Sequence, residues 1–228
     1  MSGKCSVVIL IPPSESKTSG GRHWPLGQLN KHSQVIYERL TSYHGDLTQL
    51  YGVKDKALEA ARTANKNILT SPTLPVIERY SGVVYDGLDH PSLSATAKDF
   101  FRGHVRIVSA LFGLLNADDL IPDYKLKIEK LDAAKYWKPV ITADLKGSFV
   151  IDLLPRTHQK AVGYDDGAAV DFIVYKKSKM IPAGHQGKLI KGRFVRWLCE
   201  HQVTDPKDFS GFQEDGFKFD GRNFVRSF

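Results

Sequence analysis

Residues 184–201 read GHQGKLIKGRFVRWLCEH and have the clearest helical periodicity of the chain. Apolar side chains recur there at about 100° per residue and form one stripe: Ile190, Phe194, Trp197 and Leu198. We therefore predict a helix that packs this stripe into the core. Gly192 lies in the middle of the predicted helix, where glycine costs about 0.8–1 kcal/mol relative to alanine. That cost indicates the close approach of a backbone or a ligand.

The same segment is also the most basic part of the chain. Its cations lie opposite the apolar stripe or beside it: Lys188, Lys191, Arg193 and Arg196. Such a row is either an ordinary solvated helix face or a groove that holds phosphate groups. The charge pattern alone leaves both interpretations open.

Composition and length indicate one globular α+β domain over residues 1–228. The chain is 42% hydrophobic and 25% charged, and its net charge of +7 favours anionic partners. Its cysteines, Cys5 and Cys199, lie far apart and outside any CxxC spacing, which suits a reducing compartment. No segment approaches the roughly 20 apolar residues of a membrane span. We expect a cytoplasmic protein with no membrane contact.

Several apolar runs predict the strands of a central sheet. Residues 5–11, CSVVILI, read as a buried strand that ends in a polar loop bearing Ser14 and Lys17. Residues 149–154 and 168–175 predict further strands, and the first of these carries Asp152, a charge that a plain core strand would avoid. The alternating tail from residue 211 onward suggests a closing hairpin.

The segment 104–126, HVRIVSALFGLLNADDLIPDYKL, combines a predicted strand with a glycine-bearing turn. A short helix, a turn at Gly113 and a second short helix would resemble a helix-hairpin-helix, which offers backbone amides to phosphates. Asp118 and Asp119 would repel a phosphate there. Taken alone, this segment matches a helix-hairpin-helix motif only weakly.

Familiar catalytic and metal-binding signatures are missing from the sequence. There is no HExxH, Cys/His cluster, GxSxG, GxGxxG or Walker A motif, so we expect no metal and no cofactor. What remains is a possible polar cluster, formed where strand-end loops meet the basic helix: Lys17, Tyr85, Arg106, Asp152, Lys188 and Arg196. A structure that placed Lys17 and Lys188 on opposite sides of the fold would exclude this cluster.

Several segments, in order and spacing over nearly the whole chain, resemble the YaaA family of bacterial peroxide-stress proteins. They are PPSESKT, SGVVYDGL at 81–88, the segment 104–126, Trp137, VIDLLPRTHQKAV at 150–162, GKLIKGRFVRWL at 187–198 and GFQEDGFKFD. The resemblance implies a mixed α/β domain with a positively charged cleft and a helix-hairpin-helix-like element. It also implies DNA binding and a role in limiting damage linked to intracellular iron. The matching positions are Lys17, Tyr85, Gly87, Arg106, Ser109, Gly113, Tyr124, Trp137, Lys188, Lys191, Gly192 and Arg196.

Our first hypothesis is a DNA-binding protein of the hydrogen peroxide stress response. It would bind duplex or branched DNA without reading its sequence, through phosphate contacts from Lys17, Arg106, Lys188, Lys191, Arg193 and Arg196. The adjoining pocket would be formed by Ser14, Tyr85, Ser109, Tyr124 and Trp137. In this pocket Tyr85 or Trp137 would stack on an unpaired base.

The alternative is an enzyme that acts on a small phosphorylated, nucleotide-like or nucleobase-like molecule in the same basic pocket. Asp152 would then be the acid or base, and Lys17 or Lys188 the catalytic lysine. A third interpretation, a stress role exerted through a protein partner, also stays open. The sequence does not decide whether the protein is an enzyme.

Overall fold

The structure is a computed structural model that describes residues 6–177, 179–181 and 183–227. Cys5, the first residue of the first predicted strand, lies outside the described residues. The strands are β1 Ser6–Ile11, β2 Leu74–Pro75, β3 Val105–Ser109, β4 Gly113–Leu115, β5 Leu120–Ile121, β6 Ser148–Asp152, β7 Asp166–Ala169, β8 Phe172–Lys176, β9 Lys179–Ile181, β10 Lys218–Phe219 and β11 Phe224–Ser227. The α-helices are α1 Lys31–Thr41, α2 Leu47–Tyr51, α3 Asp55–Lys66, α4 Val76–Arg79, α5 Val83–Leu88, α6 Ala95–His104, α7 Ala133–Asp144, α8 Arg156–Gln159 and α9 Gly184–His201. Short 3₁₀ helices cover His90–Ser92 and Pro206–Gly211.

A five-stranded mixed sheet forms the centre of the fold, in the order β4-β3-β1-β6-β7. Strand β1 is parallel to both β3 and β6, β7 is parallel to β6, and β4 runs antiparallel at one edge. Ile9, Leu10 and Ile11 of β1 are fully buried. Central parallel strands are covered on both faces, which explains their continuous apolar sequences. The predicted mixed α/β fold with a central sheet is confirmed.

A second, four-stranded sheet has the order β10-β11-β8-β9. The predicted strand over 168–175 is divided between the two sheets, because the chain leaves β7 at Ala169 and enters β8 at Phe172. The predicted closing hairpin is present as the antiparallel pair β10 and β11. Strand β11 is parallel to β8, and Phe224 pairs with Phe172.

Helix α9 spans the predicted residues and packs across α5. Ile190, Phe194 and Leu198 are fully buried, as the predicted stripe requires, while Trp197 is half-buried. A side-chain carbon at Gly192 would lie 2.8 Å from the backbone nitrogen of Leu88, so the close neighbour predicted at this glycine is the backbone of α5. Among the described helices, none combines the length and the apolar character needed to cross a membrane.

The helix-hairpin-helix predicted within residues 104–126 is wrong, since this fully described segment folds as a β-hairpin. Strands β3 and β4 pair antiparallel, with Ser109 opposite Gly113. The Ser109 hydroxyl accepts hydrogen bonds from the amides of Leu111 and Phe112, which closes the turn. Gly113 has a φ of 72°, and the Trp137 ring packs directly on it. These contacts favour a tight turn over two short helices.

Candidate functional site

A cleft of about 950 Å³ opens at the carboxyl ends of β1 and β6. This is where open α/β sheets commonly bind ligands. Its walls come from the loop after β1, the start of α5, the segment 124–129, the α8 region, strands β8 and β9, and the first turns of α9. Six lysine or arginine residues and three acidic residues line it: Lys17, Lys125, Lys127, Arg156, Lys188 and Lys191, with Glu15, Glu129 and Asp171.

Lys17 lies over two tyrosine rings at one side of the cleft. Its Nζ is 4.5 Å from the ring centre of Tyr124 and 5.4 Å from that of Tyr80, and it donates a hydrogen bond of 3.3 Å to the carbonyl of Ser14. Burial disfavours the ammonium form and lowers the pKa of Lys17 to about 8. Lys17 is therefore partly deprotonated near neutral pH and is able to exchange a proton with a ligand.

The loop that carries Lys17 is held by Arg79, which is completely buried at the end of α4. The Arg79 guanidinium donates hydrogen bonds to the carbonyls of Thr18, Pro72 and Ile121. In return, the amide of Thr18 donates to the carbonyl of Arg79 at 2.8 Å. Burial lowers the pKa of this guanidinium. Arg79 thus joins three separate chain segments and fixes the position of Lys17.

Three buried hydroxyl groups connect the floor of the cleft to the central sheet. The hydroxyls of Tyr80 and Tyr124 lie 2.8 Å apart, and Tyr124 is 2.8 Å from the Ser109 hydroxyl. Ser109 already accepts two amide hydrogens, so its own hydrogen is available to Tyr124. Burial raises the pKa of both tyrosines, which keeps them neutral. Ser109 therefore supports Tyr124 from behind and does not line the cleft.

Lys191 reaches the cleft from α9, although it is only 9% exposed. Its Nζ donates a 2.6 Å hydrogen bond to the carbonyl of Leu153, just beyond β6. Burial lowers the pKa of Lys191, and the nearby charges of Asp171 and Asp152 oppose this shift. The Asp152 carboxylate is itself buried and accepts hydrogen bonds from the Leu154 amide and the Tyr164 hydroxyl. Asp152 lies behind Lys191 and outside the cleft lining, and its burial raises its pKa.

Lys125 and Lys127 line the cleft beside Lys17, although neither was predicted from the sequence as a site residue. Each forms an ion pair with Glu15, at N–O distances of 2.8 and 3.2 Å. Buried apolar or aromatic residues alternate with these lysines from Tyr124 to Ile128. That period of two, visible in the sequence, indicates an extended segment with both lysines on one face.

His158 is a third cleft residue that was not predicted from the sequence. Burial lowers its pKa to about 4, so its imidazole is neutral at pH 7. It lies in the motif VIDLLPRTHQKAV, yet nothing in the local pattern distinguishes it from a surface histidine of α8. Within the part of the chain that the structure describes, no three His, Cys, Asp or Glu side chains are arranged to hold a metal ion.

The structure brings part of the predicted cluster together. Lys17 and Lys188 line the same cleft, so the arrangement that would have excluded the cluster is not found. The predicted site residues that line the cleft are Ser14, Lys17, Tyr85, Tyr124, Lys188 and Lys191. Those that do not are Arg106, Ser109, Trp137, Asp152, Arg193 and Arg196.

The three arginines outside the cleft are occupied by contacts within the protein. Arg106 donates to three main-chain carbonyls at the junction of α6 and β3. Arg193 forms an ion pair of 2.6 Å with Glu214, and Arg196 forms one of 2.8 Å with Glu200. Arg196 also donates to the carbonyls of Leu88 and Asp89, which ties α9 to the end of α5.

Trp137 and Tyr85 hold elements around the cleft in place. The Trp137 indole donates a 2.8 Å hydrogen bond to the carbonyl of Ala110, in the turn before β4. Trp137 is buried and does not reach the cleft. The Tyr85 hydroxyl donates a 3.0 Å hydrogen bond to the carbonyl of Pro12, and this bond links α5 to the loop after β1.

Comparison with known proteins confirms the resemblance noted in the sequence. The family described as "Peroxide stress protein YaaA" matches residues 7–223. A UPF0246 protein of Corynebacterium glutamicum is 33% identical, with 85% of each chain covered. Similar proteins of the same description occur in Rhizorhabdus wittichii (28% identical, 76% of each chain) and in Lactobacillus delbrueckii subsp. bulgaricus (29% identical, 92% of this chain and 93% of the relative). The chain therefore belongs to the YaaA family of peroxide stress proteins.

Proposed function

We propose that the cleft binds a small anionic ligand that carries a phosphate group or a nucleobase. The observation that carries this proposal is the pair of lysines Lys17 and Lys191, which donate hydrogen bonds to main-chain carbonyls in one cleft. Among the described residues neither lysine forms an ion pair within 4 Å, and the charges of Asp152 and Asp171 act on Lys191 only from a longer distance. An ammonium group removed from water gains far more from an anion than from a carbonyl. The excess of cations over acids along the lining supports the same assignment.

The remaining lining suits a planar group. Tyr85, Tyr124, Ile173 and Met180 contribute aromatic and apolar surface to the cleft. Small-molecule sites combine such surface with a few well-placed polar groups, in cavities of roughly 300–1,000 Å³. A nucleobase, or a ring of similar size, fits that description.

For catalysis, the proposal assigns proton transfer to Lys17. Its pKa of about 8 lies close to physiological pH, where an acid or base works best. The sequence-based choice of Asp152 is less suitable, because both of its oxygens accept internal hydrogen bonds and it lies outside the lining. Asp152 is better suited to balancing the charge of Lys191.

A thermal-shift screen tests this function. The wild-type protein is heated with adenine, AMP, ADP, GMP and pyrophosphate, alongside Lys17→Met, Lys191→Met and the control Lys66→Met, whose lysine is exposed at the end of α3. We expect at least one compound to raise the Tm of wild type and the control, with the shift reduced in both cleft variants. No shift with any compound, or equal shifts in all four proteins, would refute the proposal.

DNA binding is a second candidate, as the family resemblance implies, and protection of DNA would be one route to limiting iron-linked damage. The favouring observation is a set of exposed lysines: Lys188 of the cleft lining, and Lys176, Lys177 and Lys179 of the β8–β9 hairpin, which contributes other residues to that lining. Arg193 and Arg196 do not add to this surface, because their charges are offset internally.

A salt series on duplex, single-stranded and branched DNA tests the second candidate. We expect the double variant Lys179→Ala/Lys188→Ala to reduce the salt slope by about one for each phosphate that the protein no longer neutralises. Lys66→Ala serves as the control for the removal of a positive charge elsewhere on the surface. Wild-type binding that does not change with salt would count against a phosphate contact of any kind.

A further inference from the structure

We infer that Lys125 and Lys127 form a phosphate subsite, and that the carboxylate of Glu15 occupies it until a ligand displaces that carboxylate. The inference rests on the proposed small-ligand function and names the ligand group that this part of the cleft would recognise. It arises from Glu15, Lys125 and Lys127, which were not predicted from the sequence as site residues.

The two lysines are presented from a fixed stretch of backbone. Asn65 is buried, and its side chain both donates to the carbonyl and accepts from the amide of Lys125, each at 2.8 Å. Buried Leu126 anchors the segment between the lysines, so both ammonium groups point to the same side. Such a backbone positions two charges without needing the ligand to order it.

Glu15 binds the lysines in the manner of a ligand. Its Oε2 pairs with Lys125 and its Oε1 with Lys127, so each carboxylate oxygen serves one ammonium group. A phosphate presents two oxygens along one edge in the same way. The lysine side chains are only 16% and 25% exposed, whereas the Glu15 side chain is 61% exposed. The Glu15 side chain therefore reaches the lysines from the solvent side, where it is free to rotate away from them.

Charge balance favours a phosphate over the resident carboxylate. One carboxylate leaves a pair of lysines with a net positive charge, whereas a phosphate monoester carries roughly −1.5 to −2 at neutral pH. A bound phosphate would replace both Glu15 ion pairs, so the two largely buried lysines stay paired when the carboxylate leaves. Lys17 lies nearby and adds a third positive charge to the same region.

The test is calorimetric titration of pyrophosphate at fixed ionic strength into wild type, Glu15→Gln, Lys125→Met and Lys127→Met. Glu129→Gln is the matched control, because Glu129 is an exposed carboxylate of the same cleft. We expect Glu15→Gln to bind about three- to tenfold more tightly, each methionine variant at least fivefold more weakly, and Glu129→Gln to change affinity less than twofold. Circular dichroism establishes that each variant is folded.

The outcomes separate this subsite from the proposed function. If wild type binds pyrophosphate but Glu15→Gln behaves like Glu129→Gln, the subsite is refuted while the proposed function stands. Absence of binding in every protein refutes the subsite, and the proposed function then depends on the thermal-shift screen. Repeating the titration with a short DNA duplex identifies the source of the phosphate. If Glu15→Gln increases the affinity for both pyrophosphate and DNA, the subsite binds a nucleic acid backbone. If it increases the affinity for pyrophosphate alone, the subsite binds a small phosphorylated molecule.

Discussion

The substitution Gly192→Ala should destabilise the protein even though alanine is the better helix former. At this position an added methyl group would lie 2.8 Å from Leu88 N and 2.9 Å from the carbonyl carbon of Val84, and closer still to Val84 O. Ordinary contacts begin at 3.4 Å. The obstructing atoms belong to the backbone of α5, so rotating a side chain does not relieve the overlap, and α5 and α9 must move apart.

Two opposing energies determine the expected magnitude. Replacing glycine by alanine inside a helix stabilises it by about 1 kcal/mol. Overpacking costs about 1–3 kcal/mol, and a contact between two backbones lies at or beyond the upper end of that range. The net loss in the free energy of unfolding should be about 2 kcal/mol, which lowers the Tm of a protein of this size by about 4–8 °C.

Gly103→Ala is the matched control for this experiment. Gly103 is also helical, in α6, but an added methyl group there has no neighbour within 4 Å. This variant should be as stable as wild type or up to about 1 kcal/mol more stable. Thermal and urea unfolding of both variants give the comparison. A Gly192→Ala protein at least as stable as wild type would refute the steric argument.

The cleft and its supports lead to four further predictions. Arg79→Met should cost about 2–3 kcal/mol in urea unfolding, because it leaves the buried carbonyl of Ile121 without its donor and also removes the hydrogen bonds to Thr18 and Pro72; a loss under about 1 kcal/mol would contradict this. Pyrophosphate affinity should fall as pH rises from 7 to 9 and Lys17, with its pKa of about 8, loses its charge; a Lys17→Met variant with the same pH profile would refute this origin. The His158 ring resonances should stay constant in NMR spectra from pH 8 to pH 5.5, since its pKa is lowered to about 4, and a midpoint near 6.5 would be inconsistent with its burial. As pH falls from about 6.5 towards 4, the His158 imidazole becomes protonated in the unfolded chain but stays neutral in the folded protein. The free energy of unfolding should therefore decrease over this pH range.

Local sequence patterns predicted the elements whose apolar residues follow a regular period. Helix α9 begins and ends at the predicted residues, and β6 lies within two residues of its predicted bounds at each end. The strand at the start of residues 104–126 was predicted correctly, as β3 shows. The two short helices predicted there were wrong, because the turn before β4 depends on the Ser109 hydroxyl and on the Trp137 ring, which comes from a distant helix. Such a contact between distant segments cannot be predicted from the local spacing of apolar residues.

The candidate site was predicted only in part, because it too depends on contacts between segments that are distant in sequence. Lys17 and Lys188 converge because a loop after a parallel strand and the start of α9 meet at one edge of the central sheet. The pairing of Arg193 with Glu214 and of Arg196 with Asp89 involves residues far apart in sequence. A helical wheel shows a partner on the same helix, such as Glu200 four residues after Arg196, but it carries no information about acids that approach from other elements.

The parallel pairing of β11 with β8 has a consequence for the order in which the protein folds. Phe224 stacks on Phe172, with ring centres 5.1 Å apart, so β8 gains this neighbour only after the chain has been synthesised through β11. Phe172 and Ile173 form part of the cleft wall. Such long-range contacts form slowly, and during translation the earlier segments emerge first. The central sheet is thus able to form on a nascent chain whose cleft is still incomplete. A ligand of the cleft would therefore bind only to chains that have folded through β11.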